Sequence, residues 1–117
     1  MELFLEKSTS NINFGNYWKE TALHKAAESG HKDIVQLLLE KGASIEAIDQ
    51  FDNTPLHLAA DSGHTSTVEL LLEKGASIET ENHFGRTPLH ISSWRSYTDI
   101  VKLLQTKAAE LAAHMHA

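Results

Sequence analysis

Apolar residues recur along this chain in short bursts at helical spacing, and glycine closes most of them. Leu56, Ala59 and Ala60 form one small-sided burst, and Gly63 follows it. Val68, Leu71 and Leu72 form the next, and Gly75 follows that one. Steps of three and four residues put such side chains on one face of an α-helix. Glycine just past the last apolar position is a helix stop, because it enters the left-handed region without a Cβ penalty. The pair Thr54-Pro55 stands ahead of the first burst. A threonine hydroxyl caps free backbone N–H groups, and proline suits the first helical position. The pattern therefore predicts two short helices joined by a turn. The polar stretch after Ala76 is too short for a third helix and reads as an extended, hairpin-like turn.

The pattern repeats. LLLEKGASIE occupies 37–46 and, letter for letter, 70–79, an offset of 33 residues. At that offset the chain divides into 16–48, 49–81 and 82–114. The first two units share 19 of 33 residues and the second and third share 11, so the third is the divergent copy. Each opens alike: Thr21-Ala22-Leu23-His24, Thr54-Pro55-Leu56-His57 and Thr87-Pro88-Leu89-His90. Period and opening together resemble the ankyrin repeat over nearly the whole chain. The resemblance implies an all-α ankyrin-repeat solenoid of stacked helix-turn-helix units with hairpin-like loops. A unit this small cannot bury a core alone, so each exists to be stacked on the next.

The expected organisation is a single domain over 1–117. Residues 1–15 form a partial N-terminal repeat, 16–48 and 49–81 two full repeats, and 82–117 a third with a helical C-terminal cap. Leu3-Phe4-Leu5-Glu6-Lys7 looks like the tail of an earlier second helix. At the other end Lys107 to Ala113 carries strong helix formers and no glycine. With Ile100, Val101, Leu104, Ala108 and Leu111 on one stripe, the last helix should run on to about Ala113 and cap the stack. Three departures weaken the pattern. Lys19 and Asp52 stand where Gly85 stands in the third hairpin, and Ser92-Ser93 and Ser96-Tyr97 replace Ala-Ala and Gly-His.

Composition removes several functions. The chain has no cysteine, hence no disulfide and no thiolate nucleophile, which suits a reducing, cytoplasmic setting. No apolar run approaches the length of a membrane span, and the start lacks the basic and apolar regions of a signal peptide. A net charge of −6 argues against general nucleic-acid binding. Eight histidines raise the question of metal. His24, His57 and His90 share one repeat position, however, and His31 and His64 share another. Recurrence at that spacing points to a structural bond to the neighbouring hairpin. No recognised metal-ligand spacing, phosphate-binding glycine pattern or nucleophile–base pair is present, so no enzyme, cofactor or metal is expected.

Aromatic residues and charge point instead to binding. Trp18, Phe51 and Phe84 share one repeat position near the hairpin tip, and Tyr17, Gln50 and His83 precede them. Trp94 replaces the polar Glu28 and Asp61 of the other units. The second unit carries Lys74 against seven acids, net −6, while the third, with Arg86, Arg95, Lys102 and Lys107 against Asp99 and Glu110, is net +2. In the family that the repeats resemble, partners dock on hairpin tips and the exposed face of the first helix. The matching candidates are Tyr17, Trp18, Gln50, Phe51, Asp52, Asp61, His83, Phe84, Arg86, Trp94 and Arg95, all expected to face away from the stacking interfaces. Exposed aromatics beside arginine have the composition of a protein interface. The expected function is non-catalytic binding of a protein or peptide, by a monomer with at most weak end-to-end self-association. The alternative is a structural spacer within a longer repeat array, which the incomplete N-terminal unit favours.

Overall fold

The computed structural model describes residues 12–116, and side chains within 12–113. The proposed helix tail at Leu3–Lys7 lies outside the described residues. Six α-helices follow in order: α1 (Ala22–Ser29), α2 (Lys32–Glu40), α3 (Pro55–Ser62), α4 (Thr65–Glu73), α5 (Pro88–Trp94) and α6 (Thr98–His116). They pair as α1–α2, α3–α4 and α5–α6. The first helices stack in one row, α1 on α3 on α5, and the second helices in another, α2 on α4 on α6.

Each first helix starts with the same device. The hydroxyl of Thr21, Thr54 or Thr87 accepts the N–H of the histidine three residues on, and that histidine's ring accepts the threonine N–H. This reciprocal pairing satisfies two N–H groups that a helix start otherwise leaves free. The histidine takes the place that glutamate or glutamine holds in the common form of the motif.

Helix stops explain the glycines, and one departure. Gly30 and Gly63 end α1 and α3 with φ of 76° and 79°. A Cβ on Gly30 would lie 2.6 Å from the His64 ring, so that position requires glycine for space as well as for φ. At the third such position Ser96 takes φ 63°, and Tyr97 N–H still bonds Ser92 O at 3.0 Å. The stop survives without glycine, at the strain of a left-handed serine. Ser92 also keeps its packing: it is fully buried and its hydroxyl donates to Leu89 O at 3.2 Å.

The core runs along the stack. Leu23, Ala26, Ala27, Leu56, Ala59 and Ala60 come from the first helices, and Val35, Val68, Leu71, Ile100 and Leu104 from the second. Alanine at the paired positions lets first helices approach closely. A fully buried side chain such as Leu71 contributes about 1.5–3 kcal/mol.

Histidines fasten layer to layer. His24 Nε2 donates to Asn53 O at 2.8 Å, and His57 Nε2 donates to Arg86 O at 2.9 Å. His64 Nε2 reaches back to Glu28 O at 2.9 Å. His90 carries the same cap as His24 and His57 but is exposed.

The last helix does continue beyond Lys107, to His116. Its burial stops earlier. Ile100 and Leu104 are fully buried, whereas Ala108 to Ala113 are exposed. The extension covers little of the last layer and runs beside the Gly75–Glu79 loop, where Lys107 and Leu111 flank an open groove.

Candidate functional site

The hairpins that carry the candidate residues are built by one side chain each. The Oδ1 of Asn16 accepts the N–H groups of Trp18 and Glu20 at 2.9 and 3.0 Å. Asp49 does the same for Phe51 and Asn53, both at 2.9 Å, and Asn82 for Phe84 and Arg86 at 2.9 and 3.1 Å. An Asn or Asp side chain thus replaces backbone partners across the turn. The residue after each aromatic takes positive φ: Lys19 62°, Asp52 61° and Gly85 73°. Adjacent hairpins are joined by backbone bonds from Gln50 N–H to Trp18 O at 2.9 Å and from His83 N–H to Phe51 O at 2.8 Å. The tips therefore form one continuous edge along the stack.

On that edge the aromatics divide into two groups. Phe51 and Phe84 stack with ring centroids 5.9 Å apart, and His83 meets Phe84 edge-on at 5.4 Å. Tyr17 and Trp18 pair edge-on with each other at 5.5 Å. All remain exposed, from 45% for Phe51 to 89% for Tyr17, so packing on the neighbouring hairpin leaves a large part of each residue open to solvent. Gln50 is exposed beside Phe51, and Asp52 is half-buried in the turn.

Asp61, Arg86, Trp94 and Arg95 come together in a cleft of about 230 Å³ between the second and third helix pairs. Trp94 is 75% exposed. The Arg86 and Arg95 guanidinium carbons lie 5.9 and 5.4 Å from its ring centroid, within cation–π range. Arg95 Nε donates to Asp61 Oδ1 at 2.9 Å. The expectation that all candidates face away from stacking contacts is corrected here. The Arg95–Asp61 pair and the Phe51–Phe84 stack both join one layer to the next. Each does so at the surface, where a half-exposed ion pair stabilises by about 1 kcal/mol or less.

Five further residues line the cleft: Asn53, which the hairpin positions of the family also matched, His57, which sequence reasoning gave a structural role, and Leu58, Asn82 and Ile91, which it did not single out for binding. Asn82 Nδ2 donates to Asn53 Oδ1 at 2.9 Å, which joins the two hairpins at the cleft rim. The recurrence of Asn or Asp at 16, 49 and 82 was the available signal for Asn82. In the first hairpin the position matching Arg86 is Glu20. Its carboxyl is held below the ordinary value of 4.5, foremost by the hydrogen bond from Asn16 Nδ2 at 3.2 Å, with Lys25 also 3.2 Å away. The cleft chemistry thus belongs to the second and third pairs alone.

Among the described residues, no group of three or more His, Asp or Glu side chains could hold a metal ion. His24 and His57 are buried with both ring nitrogens in hydrogen bonds. No helix of the described residues is long and apolar enough to cross a membrane.

No curated protein matches the chain. A family model described as ankyrin repeats (3 copies) matches residues 1–49 and 47–114. With the stacked helix pairs, the threonine–histidine caps and the interlayer histidine bonds, this match shows that the chain belongs to the ankyrin-repeat family.

Proposed function

We propose that this non-catalytic ankyrin-repeat scaffold binds a protein or peptide along the hairpin tips and first-helix face of its second and third repeats (49–81 and 82–117). The observation that carries the reading is Trp94. A large ring 75% open to solvent, flanked by two guanidinium groups, contributes little to the fold. Tryptophan and arginine are the residues most enriched among those that dominate interface energy. The exposed Phe51–Phe84 stack extends the same side with apolar area. The experiment immobilises the chain, quantifies captured proteins by mass spectrometry, and compares Trp94→Ala and Arg95→Glu with the outer-face substitutions Lys32→Ala and Glu69→Ala. Interactors should be lost with the first pair and kept with the second. The opposite pattern would place the binding surface on the outer face.

A second reading, a spacer within a longer array, is favoured by the far end of the stack. Ile34 and Leu37 on α2 are 48% and 52% exposed, whereas Leu70, the counterpart of Leu37, is 3% exposed inside the stack. A layer on α2, from a further repeat or from the partial repeat expected at 1–15, would bury them. Substituting Leu37→Glu should leave partner capture unchanged if the hairpin-side reading holds.

A further inference from the structure

The cleft at Trp94 has an electrostatic imbalance. Two guanidinium groups meet one carboxylate, which leaves a net local charge of one positive in a chain whose total is −6. Arg95 uses only its Nε on Asp61, so the four N–H bonds of its terminal nitrogens lie outside that contact. Arg86 forms no ion pair among the described residues. Its backbone, by contrast, is fastened on both sides: its N–H to Asn82 Oδ1 and its carbonyl to buried His57. The charge is therefore presented from a fixed base. The ring of Trp94 lies within reach of both cations and restricts where they go. A fork of N–H donors with no acceptor of its own is suited to a carboxylate, which guanidinium groups bind through two parallel bonds.

Resting on the interaction surface proposed above, we infer that the partner inserts an aspartate or glutamate side chain between Arg86 and Arg95, with an adjacent apolar residue against Trp94. Asp61 fixes the charge type. A singly charged carboxylate balances the one net positive charge, whereas a doubly charged phosphate would overshoot it beside Asp61. The seven acids of the second unit likewise repel a nucleic-acid backbone. Asp61 already pairs with Arg95 before the partner arrives, so it competes with the partner for that guanidinium.

The test uses the full chain. A random twelve-residue peptide display library is the probe. Enriched peptides are synthesised with both ends blocked, one of them by a fluorophore, and titrated by the anisotropy of that label. The selected peptides should carry Asp or Glu next to an apolar residue, and exchanging that acid for its amide should weaken binding at least fivefold. Arg86→Gln or Arg95→Gln should cause a similar loss and abolish the preference for acid over amide. Asp61→Asn should tighten binding, since it frees Arg95 and removes a repelling charge. Peptides that need Trp94 but lose less than fivefold on the acid-to-amide exchange overturn the carboxylate assignment and leave the surface standing. A weakening with Asp61→Asn overturns it too, because the partner would then be presenting a base to Asp61. Loss of binding when a free C-terminus is blocked would move the anion from a side chain to a chain end, against the inference. Peptides indifferent to Trp94→Ala, or no enrichment at all, would overturn the surface and the inference together.

Discussion

His57→Ala should cost about 3 kcal/mol, and His90→Ala less than about 1 kcal/mol. Both histidines close the same cap, with Nδ1 accepting the threonine N–H at 3.1 Å and lying 2.9 Å from its hydroxyl. They differ in surroundings. His57 is fully buried and its Nε2 donates to Arg86 O in the next layer, whereas His90 is exposed. Removing the His57 ring leaves the buried Thr54 N–H without an acceptor, which costs about 1–3 kcal/mol. Arg86 O loses one partner but keeps the Asn82 N–H at 2.9 Å, so that carbonyl adds only about 1 kcal/mol. At position 90 water can reach the freed groups, and no interlayer bond is lost. Urea unfolding followed by circular dichroism measures both variants, provided the slopes stay equal to wild type. Equal losses within about 0.5 kcal/mol would refute the reasoning, because the local cap and not the interlayer bond would then set the energy. A wild type that unfolds on addition of a chelator would refute it more broadly.

Three other outcomes follow from the same geometry. His57 titrates below its ordinary 6.5, chiefly because burial disfavours the charged ring. The unfolded chain then takes up a proton that the folded chain refuses, so stability is full above about pH 6.5 and falls as the pH drops through and below it. His57→Gln should flatten that part of a stability–pH curve. Gly30→Ala should cost at least about 1 kcal/mol more than Gly42→Ala. Both have positive φ, but only Gly30 would drive a Cβ to 2.6 Å from a neighbouring ring, and thermal melts of the two variants decide it. Leu104→Ala should lose about 3 kcal/mol and Leu111→Ala under about 1 kcal/mol by urea titration, since Leu104 is 1% exposed and Leu111 42%.

The repeat itself was legible in the letters because it is a local code used over and over. A threonine three residues before histidine caps α1, α3 and α5 in turn. A glycine at 30 or 63 stops one, and Leu71 or Leu104 falls on the buried side by spacing alone. Even the bond from His24 and His57 to the neighbouring hairpin could be expected, because one-dimensional stacking brings each unit against a copy of itself, whereas His64 bonds the end of α1 and not a hairpin. The divergent third unit was harder. Whether Ser96 could stop α5 depends on how much strain the packed Tyr97 and buried Ser92 sustain, which no single position encodes.

The candidate surface was legible as a set of residue types and not as an arrangement. Period placed Trp18, Phe51 and Phe84 at one position, yet only Phe51 and Phe84 stack, while Trp18 turns to Tyr17. Charge counting put acids in the second unit and arginines in the third. It did not show that Asp61 and Arg95, 34 residues apart, meet each other before any partner arrives. Nor did it show that Arg86 and Arg95 converge on one ring. The stripe Ile100 to Leu111 predicted a continuous helix correctly, but its burial ends at Leu104, because helicity is a property of the segment and burial depends on what stands opposite. The sequence by itself determined the helices, their caps and stops, and the rule that one unit packs on the next, all set by interactions within a few residues or repeated at a fixed step. Only the tertiary structure decided which exposed side chains share a cleft and which charges are already paired, because those depend on the ångström-scale offset between layers, which the 33-residue period does not specify.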